Sequence, residues 1–136
     1  MSTRCRIAIK EENGTYRSIY CHNDGYPNYV GEILEIYYTD INKIEKLMDL
    51  GDLSSLGASL EFKNPADLFK DPKAYVLNNG TTDYNRWRDE GTRAEVSNTI
   101  EELVSLAESN AAEFLYVFEN GKWNIERINL RKLIKY

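Results

Sequence analysis

Histidine is almost missing from this chain: His22 carries the single imidazole among 136 residues. Cysteine occurs twice, as Cys5 and Cys21, and proline three times. One histidine and two cysteines, with Cys21 beside His22 and Cys5 distant, match no zinc-finger spacing, so no structural metal is expected. The two cysteines are expected as free thiols rather than a disulfide. No stretch approaches the roughly 20 apolar residues of a membrane-spanning helix, so no membrane association is expected. Met1-Ser2-Thr3-Arg4 leads directly into a strand pattern without a signal-peptide core, which points to a cytoplasmic location. Basic charge is in short supply: 17 Lys and Arg stand against 22 Asp and Glu, a net charge of −5. That argues against broad nucleic-acid binding, which needs a basic face, but leaves room for a small anion held by a few converging arginines. Walker and Rossmann glycine motifs, H-E-x-x-H and a nucleophile elbow are all lacking, and no cofactor is expected.

Tyrosine, by contrast, is abundant, with ten residues in the chain. Its flat apolar face and polar tip suit wet pockets and interfaces. A composition of 42% hydrophobic and 29% charged residues is that of an ordinary globular protein, and the length fits a single domain over residues 1–136.

Alternation over Arg4 to Lys10 places Cys5, Ile7 and Ile9 on one face and Arg4, Arg6, Ala8 and Lys10 on the other, a half-buried strand. Tyr16 to His22 returns after the turn at Glu11-Glu12-Asn13-Gly14. A two-residue Asn13-Gly14 loop would set Cys5 opposite His22. A three-residue loop with Gly14 left-handed sets Cys5 opposite Cys21 and Ile7 opposite Ile19. The second register is preferred because it unites the apolar residues on one face and turns Tyr20 and His22 to the other. Asn23 to Asn28 is a tight connection in which Gly25 can take positive φ and Pro27 fixes its own.

Helical spacing follows over Tyr29 to Tyr38, then over Ile41 to Leu50 with a cap at Thr39 or Asp40 and a stop at Gly51. Asp52 to Gly57 reads as a loop or short helical turn in which Asp52, Ser54 and Ser55 either cap the turn or line a ligand site, capping being preferred. Leu60 to Lys63 and Ala94 to Val96 read as short strands. A third helix starts at Asn98 or Thr99, with Ile100, Leu103, Val104 and Ala107 as its stripe. Asn120-Gly121 is a strong hairpin signal that sets Phe118 opposite Trp123 and Tyr116 opposite Ile125. Leu115 and Val117 then face the other way. A sheet apolar on both faces needs two covers, helices on one side and a second subunit on the other. The apolar segment Leu130 to Tyr136 reads as a docking helix or strand. The expected architecture is α+β: an antiparallel sheet built from N- and C-terminal hairpins, with two to three helices on one face.

Two clusters carry candidate chemistry. The first is Tyr20-Cys21-His22-Asn23-Asp24-Gly25-Tyr26-Pro27, at a strand-to-helix junction. His22 and Asp24 are spaced for a carboxylate-oriented imidazole, while Asp24-Gly25 is equally ordinary turn chemistry. The second is Arg86-Trp87-Arg88 with Tyr84. Guanidinium forks suit phosphates, and an aromatic face can stack a base, although such arginines also pair with nearby carboxylates. Together Tyr20, His22, Asp24, Tyr26, Tyr84, Arg86, Trp87 and Arg88 make an inventory for a nucleotide-sized ligand. His22 and Asp24 are the candidates should the chain be an enzyme.

Several motifs resemble a family of small proteins encoded by bacteriophages and prophages. They are Ser18-Ile19-Tyr20-Cys21-His22, Asp24-Gly25-Tyr26-Pro27, Val30-Gly31, Gly51-Asp52-Leu53-Ser54-Ser55-Leu56-Gly57 and Phe118-Glu119-Asn120-Gly121-Lys122-Trp123. Family members carry tryptophan where this chain has Asn23. Their tyrosine/arginine-aspartate-arginine-glycine motif is matched loosely by Arg86 to Gly91. The resemblance implies an accessory phage protein in the host cytosol, and small acidic proteins of that kind often counter immunity. One strategy they use is sequestering a cyclic nucleotide signal in a homo-oligomer, with which the tyrosine excess, the doubly apolar sheet and the arginine cluster are compatible. The alternatives are an enzyme cleaving such a signal and an acidic inhibitor that binds a defence nuclease.

Overall fold

The computed structural model of the chain describes residues 3–57, 75–76 and 93–128. Within them run β1 (Cys5–Lys10), β2 (Tyr16–Cys21), a π-helical turn (Pro27–Gly31), α1 (Glu32–Tyr37), α2 (Ile41–Leu50), β3 (Leu53–Ser55), β4 (Tyr75–Val76), β5 (Glu95–Ser97), α3 (Ile100–Ser109), β6 (Phe114–Glu119) and β7 (Lys122–Arg127). The expected strand Leu60 to Lys63 and the segment Leu130 to Tyr136 lie outside the described residues. No helix of the described residues is long and apolar enough to cross a membrane.

The fold is α+β, and its sheet joins an N-terminal and a C-terminal hairpin. The first hairpin takes the three-residue loop. Glu11 N donates to Thr15 O at 2.8 Å and Gly14 sits at φ +92°. Cys5 therefore pairs with Cys21 and Ile7 with Ile19. The second turns through Asn120 and Gly121, both at positive φ (56° and 78°), which sets Phe118 opposite Trp123. Both hairpins are antiparallel internally, but they meet in parallel, β1 against β6. The sheet is thus mixed, in the order β4-β3-β2-β1-β6-β7 with β5 also on β2.

This junction makes β1 a central strand, and its second face is buried as well: Arg6 is 1% and Ala8 0% exposed. The half-buried reading of Arg4 to Lys10 fails there because α3 packs on that face, with Leu103 and Ala107 in one cluster with Ala8. One face carries Cys5, Ile7, Ile9, Ile19 and Cys21 against Val30, Leu34, Ile44 and Leu47 of the π-turn, α1 and α2. The other carries Ala8, Leu115 and Val117 against Leu103 and Ala107 of α3. Two helices share one face as expected, and the third supplies the second cover that the sequence assigned to another subunit.

Local signals explain the helix limits. Asp40 caps α2, its carboxylate accepting from Asn42 N at 3.0 Å, and Gly51 closes it at φ +85°. Thr99 Oγ1 accepts from Glu102 N at 3.1 Å, and the Glu102 carboxylate accepts from Asn98 N at 2.8 Å, a capping box shifted by one donor. Asp52 to Gly57 departs from its reading. Leu53–Ser55 is a strand, parallel to β2 through Cys21 and Leu53.

Candidate functional site

The outer edge of β2 is divided between two strands. β5 takes Tyr16, Arg17 and Ser18, and β3 takes Cys21. The N–H of Tyr20 falls between them. It donates instead to the Asp52 carboxylate at 3.0 Å, and Asp52 is only 8% exposed. Asp52 is therefore no helix cap. It stands in for the missing strand, which a backbone donor at a buried edge requires. Just beyond the strand, His22 N donates to Leu53 O at 3.1 Å.

Strand alternation puts Tyr20 and His22 on the α3 face, opposite the buried Cys21. Both rings are half-buried. A hydrogen bond of 2.7 Å joins Tyr20 Oη to His22 Nδ1, with the rings edge-on at 5.9 Å and 62°. The imidazole is thus oriented by a phenol. Asp24, the partner that its spacing suggested, is exposed, stands at φ +57°, and acts on the other side of the turn. There it helps raise the Tyr29 hydroxyl above its ordinary range, after the larger effect of burial. The turn-chemistry reading describes Asp24 better than the Asp–His pair does.

Gly25 serves close approach rather than positive φ, which falls on Asp24 instead. A Cβ at Gly25 would lie 2.7 Å from Cys5 Cβ and 2.9 Å from its Sγ. Gly25 N donates to Thr3 O at 2.8 Å, and Gly25 O accepts from Tyr116 Oη at 2.6 Å. Burial pushes the Tyr116 hydroxyl far up, so it stays a donor. Tyr26, 40% exposed, ends this staple. Its carbonyl accepts from Tyr29 N and Val30 N at 3.0 Å each, opening the π-turn at Pro27.

Sequence reasoning missed Arg6, the cross-strand partner of Tyr20. Its guanidinium donates to Ser18 Oγ (2.8 Å), Ser18 O (3.4 Å) and Asn110 Oδ1 (2.7 Å), and approaches Glu95 at 3.7 Å. Burial lowers its pKa, while Asp52, Glu95 and the Cys5 thiol oppose that shift. A buried cation thus stands across the pair from Tyr20 and Asp52. The signal available in sequence was the apolar second face of Leu115 and Val117, which implied a cover on that side of β1. The two thiols face each other in the opposite layer, where burial and Cys21 raise Cys5.

The structure brings Tyr20, His22, Asp52 and Arg6 together at one end of β2, with Asp24 and Tyr26 in the turn that follows. Tyr84, Arg86, Trp87 and Arg88 lie outside the described residues. Comparison with family models, curated proteins and solved structures finds no match to this chain.

Proposed function

We propose that this protein binds and sequesters a small nucleotide. In the phage setting implied by its sequence resemblance, the ligand is a cyclic nucleotide immune signal. The observation that carries the reading is the Tyr20–His22 couple, two half-buried rings joined at 2.7 Å beside the divided edge of β2. A phenol holding the imidazole fixes a binding wall. General-base chemistry is more often supported by a carboxylate at that nitrogen, so holding a ligand is favoured over cleaving it. In this reading Asp24 and Tyr26 border the ligand. Arg86 and Arg88 contact phosphates as bidentate forks, and Tyr84 and Trp87 stack a base.

The test is to incubate the protein with a panel of cyclic nucleotides, remove free ligand, release the bound fraction by heat and analyse it by mass spectrometry. An intact nucleotide should be recovered, and recovery should fall in Tyr20→Phe, His22→Ala and Arg86→Ala/Arg88→Ala. Recovery of none of the panel would defeat the proposal. Linear products that vanish in His22→Ala would replace it with the enzyme reading.

A further inference from the structure

We infer that the outer edge of β7 is a homodimer interface, where two copies pair antiparallel about a two-fold axis through Asn124 and extend one sheet across both. The inference does not depend on the nucleotide reading. It also differs from the oligomer expected from sequence, since the apolar face that prompted that expectation is covered by α3.

The argument starts from hairpin register. In the β6–β7 pair, Glu119 opposes Lys122 across the two-residue turn, and beyond the strand Ile128 N donates to Glu113 O at 2.8 Å. Alternation in an antiparallel ladder then directs the backbone groups of Lys122, Asn124 and Glu126 toward β6. Those of Trp123, Ile125 and Arg127 are directed outward. Among the described residues, no strand pairs with this outer edge. A row of outward N–H and C=O groups is a template for another strand.

Side chains choose the partner. Lys122, Asn124, Ile125, Glu126 and Arg127 are exposed. An axis through Asn124 sets Lys122 opposite Glu126 of the second copy, twice per dimer. It also sets Trp123, 9% exposed with its indole N–H donating to Tyr38 O, opposite Ile125 of the second copy on the other face, where Ile125 is 45% exposed. Opposite charges and aromatic–β-branched pairs are the favourable cross-strand combinations. An axis through Ile125 also aligns the outward backbone groups, but it sets Asn124 against Glu126 and makes no opposite-charge pair. The sequence of β7 is therefore complementary to itself in one register. The competing reading is that its charges guard the edge against pairing, as Lys does on many edge strands.

The experiment measures mass by light scattering over a concentration series of the full chain. The wild type should reach dimer mass, Lys122→Glu should stay monomeric, and Lys122→Glu/Glu126→Lys should recover the dimer. Because Lys122 also neighbours Glu119 within the hairpin, a second variant tests the register independently of folding. Asn124→Cys places two thiols at a non-hydrogen-bonded pair, whose Cα separation of about 4.5 Å lies within disulfide range. It should cross-link in an oxidising glutathione buffer, while the native thiols are fully buried. A wild type that is monomeric throughout overturns the inference. So does a dimer that survives Lys122→Glu, or cross-linking through Ile125→Cys in place of Asn124→Cys.

Discussion

Gly25 and Arg6 are the two residues on which the candidate site depends most directly, and for opposite reasons. Gly25 is needed for what it lacks. Alanine there would drive a Cβ to 2.7 Å from Cys5 Cβ and 3.0 Å from Cys5 N, against backbone in the middle of the sheet. Gly25→Ala should cost about 1–3 kcal/mol, as overpacking of a tight core does, measured by urea denaturation. An unchanged midpoint would show that the turn can back away. Arg6 is needed for its donors. Removing them strands Asn110 Oδ1 and the Ser18 hydroxyl and leaves a cavity, so Arg6→Ala should cost about 3 kcal/mol or more. Glu95→Gln should cost under about 1 kcal/mol, because that ion pair is long and its carboxylate is 54% exposed. Equal losses in the two variants would mean that charge, not hydrogen bonding, holds Arg6.

Among the elements, legibility followed the distance over which each signal acts. Turns and caps act over three or four residues. The left-handed Gly14 and the Asn120-Gly121 turn could be located from neighbouring side chains, and the two caps could be narrowed to Thr39 or Asp40 and to Asn98 or Thr99, of which Asp40 and Thr99 make the bonds. Thr99→Ala should destabilise α3 by about 1 kcal/mol, visible as a lower denaturation midpoint with helical circular dichroism retained in the folded state. A loss near zero would mean that the Glu102 bond to Asn98 N suffices alone. β3 was illegible for the complementary reason. Leu53–Ser55 has no periodicity of its own and is a strand because Cys21 and His22 pair with Leu53. Asp52 looked like a helix cap because it is a capping residue, but the donor it caps is Tyr20 N, 32 positions away in sequence. The couple of Tyr20 with His22 was half legible: alternation put both on one face. Only the fold showed Asp24 exposed in the turn, at φ +57°.

At the scale of the whole molecule, the parallel contact of β1 with β6 makes β1 a central strand, and α3 covers its second face, where Arg6 is buried. No local signal encodes it. Only the apolar character of both faces hinted at it. The same assembly brings the first hairpin turn against α2. Arg17 bridges Glu45 at 2.8 Å and Asp49, and Glu11 lies beside Glu45 in a groove of about 630 Å³ lined also by Ile9, Lys10, Glu12, Asn13 and Ile41. Burial, then the Glu45 carboxylate, raise Glu11 above its ordinary range, and Arg17 opposes them. The sign follows from proton binding. The folded state holds the Glu11 proton to higher pH than the unfolded chain, whose glutamates titrate at about 4.3. The stability this group contributes is therefore complete below that pH and lost as pH rises through the raised folded value. At neutral pH an ionised Glu11 weighs against the fold. Glu11→Gln, which cannot ionise, should raise the urea midpoint at pH 7 and leave it nearly unchanged at pH 4. A gain of the same size at both values would trace the effect to packing instead, and a loss at pH 7 would mean that the attraction of Arg17 outweighs burial.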